Sequence, residues 1–267
     1  MAHNGNGSIY GQNGGPVMPS AANRVENRPK PEEWWYIENG RSYDTFRRGK
    51  YMFPMDEEEM DRMDMLHKFF LISRQDNSNY GGLCQRPLPP NPRILDLGCG
   101  TGIWAIDMAD RHQGRASILG WDLSLIQPLR IPPGVEFQRR DIEDPWTGVE
   151  EASFDFIHMK MLLGSIADWR SLYSKIFRYL KPGTGLFEHV EIDLTPQSEN
   201  GELPEDSHLR IWAHEVAEAM ARHGRPITVD PRGTVALLQS LGYVDVEQHY
   251  AGAEGHIISS FDQNEWF

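Results

Sequence analysis

The spacing of apolar side chains divides the chain into stretches of different period. Residues 1–32 offer almost nothing to bury: Gly, Asn, Pro and Ser predominate, and such a segment cannot offset the entropy of ordering itself, so a disordered arm is expected. At Trp34, Trp35 and Tyr36 the composition changes abruptly, and Tyr43, Phe46, Tyr51 and Phe53 follow at a density unlike that of a linker. Over 56–74, Met60, Met63, Leu66, Phe69 and Phe70 recur at three- and four-residue spacing behind an acidic run, which predicts an amphipathic helix with negative charge at its N-terminus. Asn, Gly and four Pro mark 75–92 as a connecting loop.

From Arg93 onward short apolar runs alternate with helical patterns. The runs predict strands at 93–97, 117–121, 135–138, 154–158, 185–192 and 243–249, with 256–260 as a short last strand that forms a hairpin with its predecessor. Helices are predicted near 103–111, 169–180, 205–223 and 231–241. This alternation predicts an α/β fold, a doubly wound and mostly parallel seven-stranded sheet covered on both faces. The expected organisation is an arm (1–32), an aromatic-rich helical lid and linker (33–92) and a cofactor-binding domain (93–267).

Charge narrows the function. Against 39 Asp and Glu the chain has 26 Lys and Arg, a formal charge of −13, the wrong sign for holding nucleic acid along a broad surface. Cys84 and Cys99 form neither a disulfide framework nor a zinc-ligand spacing, so no metal is expected. No stretch supplies the roughly 18–20 apolar residues that cross a bilayer. A soluble intracellular protein without membrane partners is expected; the dispersed basic residues between Arg24 and Lys50 leave cytoplasm or nucleus open.

The chemistry is concentrated in Asp96-Leu97-Gly98-Cys99-Gly100-Thr101-Gly102, where an apolar strand runs into three alternating glycines and then a helix. Glycines at the carboxyl end of a strand let the backbone approach a ligand where open α/β sheets bind theirs. Twenty residues past Gly102, Asp122 ends the next strand, in position to accept from both hydroxyls of a ribose, with Leu123 beside it. A dinucleotide site would space its glycines as GxGxxG, and an acid at position 96 would repel a pyrophosphate. The acid suits an ammonium and a sulfonium, the charges of S-adenosylmethionine. The segment resembles the first motif of the Rossmann-like methyltransferases that use this cofactor. By that resemblance Asp141 follows the third strand to meet the adenine amino group, with Ile142 on the ring.

Methyl transfer to a carbon already activated by sulfur needs mainly positioning. For a hydroxyl acceptor a general base would help, and the ends of the fourth and fifth strands offer His158, Glu188, His189 and Glu191. His158 and Glu191 are the candidates, although a structural or cofactor-contacting role competes for His158. Glu188 and Glu191 lie three positions apart, on opposite faces of a strand, so at most one faces the cleft.

A narrower resemblance runs from 37 to 250. Glu38–Tyr43, Phe46–Tyr51, Asp61-Arg62, His67-Lys68-Phe69, Gly98–Trp104, Asp122-Leu123-Ser124, Ile126-Gln127-Pro128 and Glu188–Glu191 are similar to the LaeA-type methyltransferases of filamentous fungi. The resemblance implies Asp96, Gly98, Cys99, Gly100, Gly102, Asp122 and Asp141 as cofactor contacts and places Gln127 beside the ribose or adenine. It also implies a lid carrying Tyr43, Arg47 and Tyr51, although packing against the sheet is the competing reading of those aromatics. Its members are regulators that associate with velvet-type proteins and enzymes that methylate small molecules. Members usually continue well past the sixth strand, so the acceptor wall is expected to come from 205–223, with Trp212, His214, Glu215 and Glu218.

Overall fold

The computed structural model describes residues 34–74, 81–198, 201–251 and 256–262; the expected arm lies outside them. The described chain begins with a hairpin, β1 (Trp35–Glu38) and β2 (Arg41–Asp44), paired antiparallel with Tyr36 opposite Tyr43. A helical lid was the expectation for this stretch. The hairpin forms instead because Asn39 and Gly40 both take positive φ (50° and 78°), the turn whose twist matches that of the flanking strands.

The helix predicted at 56–74 is present as α1 (Glu57–Ser73). Asp56 caps it by accepting from Glu59 N. β3 (Arg93–Leu97), α2 (Ile103–Arg111), β4 (Ser117–Asp122), β5 (Val135–Arg139), β6 (Phe156–Lys160), α3 (Trp169–Tyr179) and β7 (Leu186–Ile192) follow. A two-residue ribbon, β8 (Gln197–Ser198) with β9 (Gly201–Glu202), leads to α4 (His208–Arg222), α5 (Pro231–Ser240), β10 (Val244–Ala251) and β11 (His256–Asp262).

The sheet has the seven strands and the closing hairpin that the sequence predicts, in the order β10-β11-β7-β6-β3-β4-β5. Five strands from β7 to β5 are parallel, and β11 runs antiparallel between β7 and β10. The chain winds outward from β3 to β5 and returns through β6, so the switch point lies between β3 and β6, where doubly wound sheets open a crevice.

Period-two alternation separates the two cores. Ile94, Ile118 and Phe156 pack with Trp104 and Met108 of α2 on one face, while Leu95, Leu97, Trp121 and Met159 pack with Leu172 and Ile176 of α3 on the other. Each such side chain contributes about 1.5–3 kcal/mol on leaving water, enough to fix the strand register on which the site depends.

Candidate active site

The loop after β3 is built on left-handed glycines. Gly98, Gly100 and Gly102 have φ of 67°, 53° and 77°. A Cβ on Gly98 would lie 2.4 Å from Leu162 Cδ2 and one on Gly102 would lie 2.4 Å from Phe137 Cζ, whereas one on Gly100 would meet only Met63 Sδ at 3.3 Å. Gly98 and Gly102 therefore permit packing, and Gly100 borders the cavity.

The loop's N–H groups are turned toward the protein. Gly98 N and Cys99 N donate to Trp121 O, Gly102 N to Cys99 O, and Gly100 N to Asp122 Oδ2 at 2.8 Å. A phosphate cradle needs such donors free. These engaged amides, flanked by Asp96 and Asp122, disfavour an anionic ligand and suit a cationic one.

Asp122 Oδ1 accepts from Ser124 N at 2.9 Å, and burial pushes its carboxyl up. Asp141, only 3% exposed at its side chain, accepts from Glu143 N and from the Lys50 ammonium. Asp96 Oδ1 meets His158 Nδ1 at 2.8 Å, and Trp104 stacks on that imidazole. Asp96 Oδ2 and His158 Nε2 are buried without a hydrogen-bond partner. Burial pushes the Asp96 carboxyl up and the His158 imidazole well down.

Lys160 closes β6 with its ammonium 3.0 Å from His67 Nδ1, and His67 Nε2 lies 2.9 Å from Asp107 Oδ2. Burial lowers both Lys160 and His67. At the end of β7 the two glutamates part as their spacing requires. Glu188 is fully buried, paired with Arg74 at 2.7 Å and accepting from Gln85 N, while Glu191 lines the cavity.

The cavity spans about 490 Å³, within the size range of small-ligand sites. One half is bounded by Asp96, Gly98, Gly100, Asp122, Asp141 and Ile142, with Cys99, Leu123 and Thr101 beside them. Ile192, Leu194, Trp212, Val216, Met220 and Ile227 form the other, apolar half. Tyr51, Met52 and Phe53 from the segment after the hairpin, with Met63 and Leu66 of α1, also contribute to the lining.

Four expectations need correction. Gln127 is 1% exposed and lies off the cavity lining, where its Nε2 donates to Gly100 O (2.7 Å) and Ser124 O (2.9 Å); it supports the loop from behind. Tyr43 also stays off the lining because its ring stacks on Tyr36 across the hairpin at 5.4 Å; Tyr51 reaches the cavity. Gly102 caps α2 and packs on Phe137. On α4 only Trp212 of the four expected residues lines the cavity: His214 and Glu218 pair with each other on the exposed face, and Glu215 is exposed.

The sequence reading missed Lys50, Lys160 and His67. Only the alternation of β6, which puts 158 and 160 on one face, pointed to Lys160.

A methyltransferase-domain family matches residues 56–248. The secondary metabolism regulator LAE1 of Cochliobolus heterostrophus is 50% identical over 80% of this chain and 68% of its own. Its counterpart laeA in Fusarium oxysporum is 40% identical over 87% and 73%, and the protein-methionine methyltransferase laeA of Emericella nidulans is 41% identical over 91% and 62%. Among solved structures, the complex of the Haloferax volcanii Trm112 methyltransferase activator with a methyltransferase aligns with a TM-score of 0.58 at 15% identity, over 79% of this chain and 96% of that one. Human N-acetylserotonin methyltransferase, solved with its cofactor, aligns at 0.53 and 17%, over 78% and 55%. At such identities these two structures speak for the fold alone.

Proposed function

The chain belongs to the methyltransferase-domain family and, within it, to the LaeA-like methyltransferases of fungal secondary metabolism, and from that premise we propose how its site is used. S-adenosylmethionine is the family's cofactor. Asp96 takes its ammonium end, Asp122 its ribose and Asp141 its adenine, with Gly98, Cys99, Gly100, Leu123 and Ile142 forming the wall. When bound, the cofactor supplies a methyl carbon activated by positive sulfur.

The observation that carries this reading is the pairing of engaged loop amides with an unpartnered Asp96 Oδ2. With Asp96 ionised, such a site offers negative charge and acceptors rather than donors. Calorimetric titration with S-adenosylmethionine and S-adenosylhomocysteine tests it without an acceptor. Micromolar binding of both is expected, and binding of neither would overturn it.

The acceptor is a small molecule of a biosynthetic pathway, a reading supported by the apolar half of the cavity. The names of the relatives favour a second reading, a regulator; on this reading the chain acts through a protein partner of velvet type, in the nucleus as well as the cytoplasm. Labelled-methyl transfer to a cell extract separates the two: label in the low-molecular-weight fraction supports the first. Label in protein, or copurification of a stoichiometric partner without transfer, supports the second.

A further inference from the structure

We propose that the Glu191 carboxylate is the acceptor-binding group and proton acceptor of the site, and that the acceptor is a small apolar molecule bearing a hydroxyl. The proposal rests on the methyltransferase reading above and extends it to the substrate.

The turn after β6 is shaped around this carboxylate. Met161, a non-glycine residue, is held at φ 58° with its N–H on Val190 O. The next two amides, Leu162 N and Leu163 N, both donate to Glu191 Oε1, at 2.7 and 3.1 Å. Successive N–H groups after a left-handed residue form an anion-binding concavity. His189 Nε2 adds a third contact to the same oxygen at 2.9 Å, and its other ring nitrogen lies 3.1 Å from Tyr173 OH. Trp169 stacks on the imidazole.

One oxygen of Glu191 is thus held by three groups, while Oε2 is buried without a partner. Leaving such an acceptor unmatched is costly, which points to a ligand that supplies the donor. The turn also packs against the cofactor loop, since Leu162 fills the space that a Cβ on Gly98 would need.

The surrounding wall selects the acceptor's class. Ile192, Leu194, Val216, Met220 and Ile227 are apolar, and Trp212 adds a ring with one N–H. With Asp96 Oδ2 assigned to the cofactor, an ammonium acceptor would bring three donors to one unmatched carboxylate oxygen, leaving the others unsatisfied. A hydroxyl brings one. In the transfer, the acceptor oxygen bonds to the methyl carbon, the methyl–sulfur bond breaks with its electron pair remaining on sulfur, and the hydroxyl proton passes to Glu191 Oε2.

Two probes test the assignment: 2-naphthol and its methyl ether, 2-methoxynaphthalene, titrated into protein saturated with S-adenosylhomocysteine. The naphthol is expected to bind roughly tenfold tighter, the scale of one hydrogen bond to a charged group. In Glu191→Gln the preference should collapse toward unity while S-adenosylhomocysteine affinity is retained. Should that variant not fold, Glu191→Asp, which retracts the carboxylate by one methylene, serves in its place. Binding of neither probe, equal binding, or an unchanged preference in the variant would overturn the proposal. Failure of S-adenosylhomocysteine to bind the unmodified protein would instead overturn the methyltransferase reading beneath it.

Discussion

Asp96 and His158 are register partners on adjacent parallel strands, with carboxylate and imidazole 2.8 Å apart. Neither is at ease in its charged form: burial raises the acid and lowers the base. The nearby Lys160 ammonium pulls Asp96 back toward ionisation, but Asp122 opposes it. The site therefore holds a carboxylate destabilised by its surroundings, which a cationic ligand relieves on binding.

Asp96→Asn should separate stability from binding. Burial pushes the Asp96 carboxyl up to about 8. The folded protein thus keeps a proton that the unfolded chain releases near pH 4, and native stability falls as pH rises through that window. The neutral amide removes this cost, stabilising the ligand-free protein by on the order of 1–2 kcal/mol at pH 8 and raising Tm by a few degrees. The same change should abolish S-adenosylmethionine binding. In the unmodified protein, affinity should tighten as pH rises toward 8 and Asp96 ionises. Thermal melts and calorimetry across pH 6–8.5, roughly the span over which this acid titrates, check both; a destabilised variant or a flat pH profile would refute the argument.

Gly100 and Gly102 should respond differently to substitution. Gly100→Val places a branched side chain at positive φ beside the cavity, meeting only Met63 in the protein. It should abolish cofactor binding and cost roughly 1–3 kcal/mol of strain without unfolding the chain. At Gly102 a Cβ collides with the Phe137 ring, so Gly102→Ala should lower Tm by more than Gly100→Ala. Melting curves for the two alanine variants, with a titration of Gly100→Val, test the ordering.

Much of this was legible in the sequence because it is locally encoded. Period-two runs define β3, β4 and β6, and alternating glycines after Asp96 mark the ligand loop. What escaped depends on side chains far apart in sequence. Lys50 reaches Asp141 across 91 residues, and no local period announces that pairing. Gln127 sits in the right segment but turns inward to the loop carbonyls, a choice made by tertiary packing. The hairpin, by contrast, has a local signal: Asn39-Gly40 between Ile37 and Tyr43 is a turn sequence, while the aromatic density around it suits a helical lid equally well.

Low pH should loosen the front of the molecule first. Arg41 forms a bidentate pair with Asp56, which also caps α1, and together with the Ser42 and Glu59 amides it brings the Asp56 carboxyl down to about 2. Burial alone would raise Glu143, but Lys50, Ala167 N and Arg225 outweigh it and bring it down to about 2. A depressed acid contributes stability above its unfolded pKa of about 4, and that contribution is lost as pH falls from there toward 2. Hydrogen exchange in 34–56 should accelerate over this range before exchange in β3 and β4. Asp56→Asn retains the cap and loses the ion pair; Asp56→Ala loses both and should cost a further 0.5–2 kcal/mol or so in chemical denaturation.

Lys50 decides whether the hairpin segment acts as a lid. Its ammonium contacts both Asp141 and Glu143, and Arg47 lies on Asp141 and Asp144, so the chain after β2 is tied across the side of the cavity that Asp141 lines. Lys50→Ala leaves Asp141 buried, with the Glu143 amide and a longer contact to Arg47. Removing one partner of such a pair costs roughly 1–3 kcal/mol, which here falls on the closed arrangement of the segment. S-adenosylmethionine should then leave about tenfold faster by stopped-flow, with its association rate little changed. Amides of β1 and β2 should exchange faster in the same variant. An unchanged dissociation rate with unchanged exchange would mean that the segment is held by its aromatic packing, Tyr36 on Tyr43 and Tyr51 on Phe53, and that the charges on Asp141 serve the cofactor alone.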